Sequence, residues 1–126
     1  MKLDKSKLGK YANQISTIEV TLTEERKRHI LENHSKDFNI ILKNIKNGIL
    51  YPDEIIEDIK NLDTVFYISK LKINNLNIVI KLNTTHDEKH PKNSIMTAYR
   101  IRDKNVKKLI KANKLLTNKN KYDKII

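Results

Sequence analysis

TVFYISKLKINNLNIVIKL, residues 64–82, is the stretch on which the fold turns. Residues 64–72 are rich in β-branched and aromatic side chains, and Asn74-Asn75 separates them from residues 76–82 at hairpin spacing. In the second run Leu76, Ile78, Ile80 and Leu82 share one face, leaving Val79 and Lys81 on the other. Downstream, residues 83–93 read as a polar loop holding His86, His90 and Pro91. Residues 94–102 read as the last strand, with Thr97 and Tyr99 on one face and Met96, Ala98 and Arg100 on the other. Val106, Leu109, Ile110 and Leu116 then predict a weakly amphipathic, very basic helix over about 104–117.

Upstream of the hairpin the period is helical. Thr21 and Thr23 are both plausible N-caps, and Glu24 and Glu25 suit a first turn, so a helix is expected over 22–33. Phe38, Ile41, Leu42 and Ile45 make one buried stripe of a second helix, with Gly48 placed to end it. Tyr51-Pro52-Asp53 marks a turn, and residues 54–59 read as a strand or a helical turn. Residues 1–20, with four lysines and a weak alternation in Ile15, Ile18 and Val20, read as a linker or accessory segment. The expectation is an α+β domain: N-terminal helices packed on one face of a four-stranded antiparallel sheet, then a basic C-terminal helix, with the other sheet face free for a substrate.

At 126 residues the chain suits a single domain. Its lack of cysteine excludes a disulfide framework and thiolate metal sites. No apolar run approaches a membrane span, and the lysine-rich start lacks the apolar stretch of a signal peptide. The net charge of +11 is uneven: residues 100–126 carry ten Lys/Arg against two acids, whereas residues 21–99 carry twelve against eleven. A C-terminal charge excess fits a polyanion, by phosphate neutralisation and counterion release, though a solvated lysine face would look the same.

Arg28-His29-Ile30-Leu31-Glu32-Asn33-His34 puts two imidazoles on the first helix, ahead of a lysine-bearing strand and Thr97-Ala98-Tyr99. That set suits RNA cleavage by 2′-OH attack, which needs two proton carriers and a cation and no cofactor. Five helical residues rotate by about 500°, so both rings can serve only if the helix ends near Asn33. Lys81 interrupts an apolar strand and needs either a phosphate-like partner or open solvent. Each residue also has an ordinary reading: surface or packing for the histidines, a guarded strand face for Lys81, strand propensity for Thr97 and Tyr99. A zinc site on His86 and His90 lacks further ligands.

Leu22-Thr23-Glu24-Glu25, the His29–His34 segment, Tyr51-Pro52-Asp53-Glu54-Ile55, Ile78-Val79-Ile80-Lys81 and Ile95-Met96-Thr97-Ala98-Tyr99 occur in that order. Over residues 21–102 this resembles the BECR superfamily of small RNases, which groups barnase, EndoU, colicin and RelE-like toxins, and within it the phage-borne branch. It departs at Ser35, where similar sequences tend to carry proline, and at Tyr51, where they tend to carry asparagine. The resemblance implies a metal-independent endoribonuclease over residues 21–117, followed by a basic tail at 118–126. His29, first as acid or base, His34, as second proton carrier or phosphate contact, and Lys81, Thr97 and Tyr99 are then the catalytic candidates. Arg26, Arg28, Arg100, Arg102, Lys107 and Lys108 are the expected RNA contacts. An acidic immunity or antitoxin protein is the expected partner, a larger phage or secreted polypeptide the expected setting, and the cytoplasm of the producing or target cell the expected place of action. The rival readings are a non-catalytic nucleic-acid-binding module and a ribosome-dependent mRNA interferase.

Overall fold

A computed structural model describes residues 1–86, 89 and 91–118; His90 and the greater part of the expected basic tail, 119–126, lie outside the described residues. The elements run β1 (Val20–Thr21), α1 (Glu24–Asn33), α2 (Phe38–Leu50), β2 (Glu54–Glu57), β3 (Thr64–Lys70), β4 (Asn75–Lys81), β5 (Asn93–Ile101), α3 (Asp103–Ala112) and β6 (Lys114–Asn118). The α+β class holds, but the sheet has six strands in the order β1-β5-β4-β3-β2-β6 rather than four. It is also mixed, since β1 runs parallel to β5 while every other neighbouring pair is antiparallel.

The hairpin forms, but its loop is residues 71–74: Asn75 pairs with Lys70 as a buried residue of β4, and Asn74 alone takes the left-handed region (φ 64°) that asparagine tolerates better than most residues. Thr23, not Thr21, caps α1: its hydroxyl accepts from the Arg26 N–H at 3.2 Å, while Thr21 is spent in β1. Residues 54–57 are strand, pairing with β3 on one side and β6 on the other.

Each sheet face has its own cover. Leu76, Ile78 and Ile80 of β4, Ile95 and Ala98 of β5, and Val65 and Tyr67 of β3 form the main core with Ile30 of α1 and Ile41, Ile45 and Ile49 of α2. On the opposite face Ile56, Ile68 and Ile101 are covered by Val106 of α3, with Phe66, Tyr99, Leu109 and Leu115 at the margin. The face expected to be free is therefore covered at one end.

Three expectations need correction. Residues 1–20 are no loose linker: two 3-10 turns at Lys5–Lys7 and Gly9–Asn13 bury Leu3, Leu8, Tyr11 and Ile15 in the main core. Buried Asn93 fastens this segment, its Nδ2 donating to the Thr17 and Glu19 carbonyls at 2.8 and 2.9 Å and its Oδ1 accepting the Asn83 N–H at 2.8 Å. The basic helix ends at Ala112, because Asn113 turns extended and its Oδ1 accepts the Ile59 N–H, launching β6 along β2. Strand alternation then sends Leu115 to the second core and Leu116 to the main one, which a helix could not do.

Gly48 does not terminate α2, which continues to Leu50. It is instead the point of closest approach to the sheet, where an added Cβ would stand 2.9 Å from Ile78 Cδ1 and 3.5 Å from Ser69 Cβ. Gly48→Val should overpack this contact and lower stability by about 1–3 kcal/mol. The check is a drop in the urea midpoint at unchanged slope; an unmoved midpoint would contradict the packing described.

Candidate functional site

Strand alternation sets the site. Asn77, Val79 and Lys81 of β4 point to the face opposite the main core; Asn77 lies across from Tyr99 and Val79 across from Thr97 on β5. A bulge follows, because Ile80 pairs with Ile95 and skips Met96, so the register changes beside Thr97. Val79 and Thr97 are half-buried and belong to neither core, so they mark the part of the face that α3 leaves open.

The end of α1 supplies the histidine. The helix stops at Asn33, and His34 leaves helical geometry (φ −136°, ψ 46°) while its N–H still donates to the Ile30 carbonyl. Its ring stacks on Tyr99, with centroids 5.7 Å apart and planes 25° apart. Beneath them Asn77, fully buried, donates from Nδ2 to the Tyr99 phenolic oxygen at 3.0 Å. The Tyr99 O–H therefore keeps its proton for another acceptor. Among the described residues Asn77 Oδ1 is buried without a partner.

The remaining candidates lie apart from this pair. His29 is on the exposed side of α1, where Asn33 donates from Nδ2 to the His29 carbonyl at 2.9 Å and stands 3.3 Å from its ring Nδ1. Lys81 is four residues from Asn77 along β4, about 13 Å at ordinary strand rise. Its ammonium donates to the Leu62 carbonyl, beside a cleft of about 310 Å3 that Thr84, Lys92 and Ser94 also line. Thr97 sits between the two ends, so His34 with Tyr99 and Lys81 straddle it rather than converge.

The basic residues divide as well. Arg26 is half-buried and Arg28 exposed on α1. Arg100 faces away from Tyr99, as alternation predicts, donating to the Ile73 carbonyl and lying 3.8 Å from the Asp37 carboxylate in a cleft of about 760 Å3. Arg102 returns to the Tyr99 side, because β5 ends at Ile101 and Arg102 is the N-cap of α3. It lines a cleft of about 630 Å3 with Tyr99, Lys104, Asn105 and Lys108. Lys107 lines a different cleft with Glu54, Lys70 and Asp103. There burial pushes the Glu54 carboxyl up from its ordinary pKa, with the nearby Lys70 charge opposing the shift.

Among the described residues no three His, Cys, Asp or Glu side chains are grouped to hold a metal ion, and no helix is long and apolar enough to cross a membrane. No family model, curated protein or solved structure matches the chain.

Asn77 is hidden in the sequence because it falls beside the hairpin asparagines and reads as turn composition. Its signal is parity, since it shares a face with Val79 and Lys81. Tyr99→Phe should strand the buried Asn77 Nδ2 and cost about 1–3 kcal/mol, whereas Asn77→Leu removes donor and orphaned acceptor together and should cost less. Urea denaturation of both variants checks this, and the reverse ranking would contradict the hydrogen bond.

Proposed function

We propose that the protein is a metal-independent endoribonuclease of the toxin or effector type, acting on RNA at the open part of the sheet face. The observation that carries this reading is the His34 ring stacked on Tyr99, whose hydroxyl is held by Asn77 with its proton still to give, next to Thr97 on the same face. An imidazole can take up and release a proton, and an aromatic ring with a hydroxyl can seat a nucleotide and hold a phosphate oxygen.

In this reading His34 takes the 2′-OH proton as the 2′ oxygen bonds to phosphorus. The bond from phosphorus to the 5′ oxygen breaks, and that oxygen is protonated by a second carrier, His29 released from Asn33 or the Tyr99 hydroxyl. The products are a 2′,3′-cyclic phosphate and a 5′-OH end. Thr97 contacts the phosphate, and Lys81 stabilises its growing charge after exchanging the Leu62 carbonyl for it. RNA, tRNA among the candidate targets, is the substrate in this reading. An acidic immunity or antitoxin protein is the proposed inhibitor, since carboxylates suit a basic cleft, and the cytoplasm of the producing or target cell is the proposed place of action.

A non-catalytic RNA-binding module is the second reading, favoured by His29 and Lys81 being occupied by Asn33 and the Leu62 carbonyl. Purified protein incubated with total RNA and EDTA separates the two. Cleavage is expected, falling by roughly 10²–10⁴-fold in His34→Ala and clearly in Lys81→Ala. A parallel incubation with translating ribosomes covers the interferase variant. Intact RNA in both incubations together with a gel shift would overturn the nuclease reading in favour of the binding module.

A further inference from the structure

Helix α3 presents one exposed arc with two edges of different chemistry, Lys107 lying between them beside Lys104 and Lys111. On one, Asp103 accepts from the Asn75 side chain at 2.8 Å; Lys107 shares a cleft with Glu54 and Lys70. The other carries Lys104, Lys108 and Lys111, exposed and spaced i, i+4 and i+7, with Arg102 at the helix start. Among the described residues none of these four has an ion-pair partner; Lys2, Lys7, Lys10 and Arg100 are the only described Lys and Arg that do, so it is the alignment of the four along one flank that sets them apart. Four unpaired cations along one helix flank are costly in mutual repulsion and so suit a bound polyanion. Arg102, Lys104 and Lys108 border the same cleft of about 630 Å3 as Tyr99, the ring that His34 stacks on.

We propose that this flank is a track for single-stranded nucleic acid: a base lodges against Tyr99 and the following phosphates run along Lys104, Lys108 and Lys111. The proposal rests on the RNA-cleaving reading for the identity of the strand and adds to it the form of the substrate. Lys104 and Lys108 are about 6 Å apart along the helix axis. That is roughly the distance between neighbouring phosphates along one strand, so successive phosphates can meet successive lysines. A stacking ring beside a cationic groove is also how unpaired strands are bound without sequence preference.

The test uses the intact protein and a fluorescein-labelled, mixed-sequence 2′-O-methyl RNA 12-mer. This probe lacks the attacking hydroxyl, so binding is read independently of catalysis. Anisotropy titrations at several KCl concentrations should show the single strand binding at least tenfold more tightly than the same oligonucleotide annealed to its complement. The triple variant Lys104→Ser, Lys108→Ser, Lys111→Ser should reduce the slope of log affinity against log salt by about 2, near 0.7 for each phosphate that is no longer neutralised. Tyr99→Leu should weaken binding about tenfold. Lys43→Ser with Lys72→Ser, in the cleft around Arg100, should change nothing. Circular dichroism confirms that each variant is folded. Equal or tighter duplex binding, an unchanged slope in the triple variant, or an equal loss in the Lys43/Lys72 variant overturns the proposal. If the strand binds as expected while natural RNA is never cut, the track stands and the nuclease reading falls. If RNA is cut while the slope does not move, the reverse holds.

Discussion

The alternation of β4 governs both faces of the sheet. Leu76, Ile78 and Ile80 meet α1 and α2 in the main core, while Asn77, Val79 and Lys81 take the other face. Strand side chains repeat every two residues, so a slip of one position would bury Lys81 and expose the isoleucines. The register is thus held by several large apolar side chains at once, and the same register sets Asn77 under Tyr99. A polar feature of the site is fixed by the packing of the side that does not bear it.

The site is also shaped by where helices stop. Because α1 ends at Asn33, His34 is released from the helical path and turns onto Tyr99. Because β5 ends at Ile101 and α3 begins at once, Arg102 and the Lys104 flank come back to the Tyr99 side. The covered end of the face, around Ile101 and Val106, then leaves Val79 and Thr97 as the open part. The aromatic pair and the cationic helix flank follow from two local endings, and the open strip from what α3 leaves uncovered.

Much of this is legible in sequence, and the rest is hidden for identifiable reasons. The hairpin, the parity of Thr97 and Tyr99, and the Thr23 cap are local patterns, so residues close in the chain encode them. The N-terminal segment and β6 are not local. Leu3, Leu8, Tyr11 and Ile15 have no strong period and reach the core through irregular turns, and β6 exists by pairing with β2, some sixty residues earlier. Gly48 carries a misleading signal, since glycine serves both as a helix stop and as a point of close packing, and only the sheet beneath it decides. The motif puts His29 first as acid or base and His34 second, and the structure reverses that order. The helix end separates them, giving His34 to the sheet and leaving His29 with Asn33.

The proposed ligand chemistry lies on the Tyr99 face of the sheet and not on the face that α1 and α2 cover. Amide and side-chain NMR shifts recorded while titrating the uncleavable 12-mer put that assignment to the test residue by residue. The largest changes are expected on His34, Asn77, Val79, Thr97 and Tyr99, extending into the first turns of α3. Changes centred instead on Ile40, Lys43 and Ile73, around the Arg100 cleft, with the Tyr99 face silent, would contradict it.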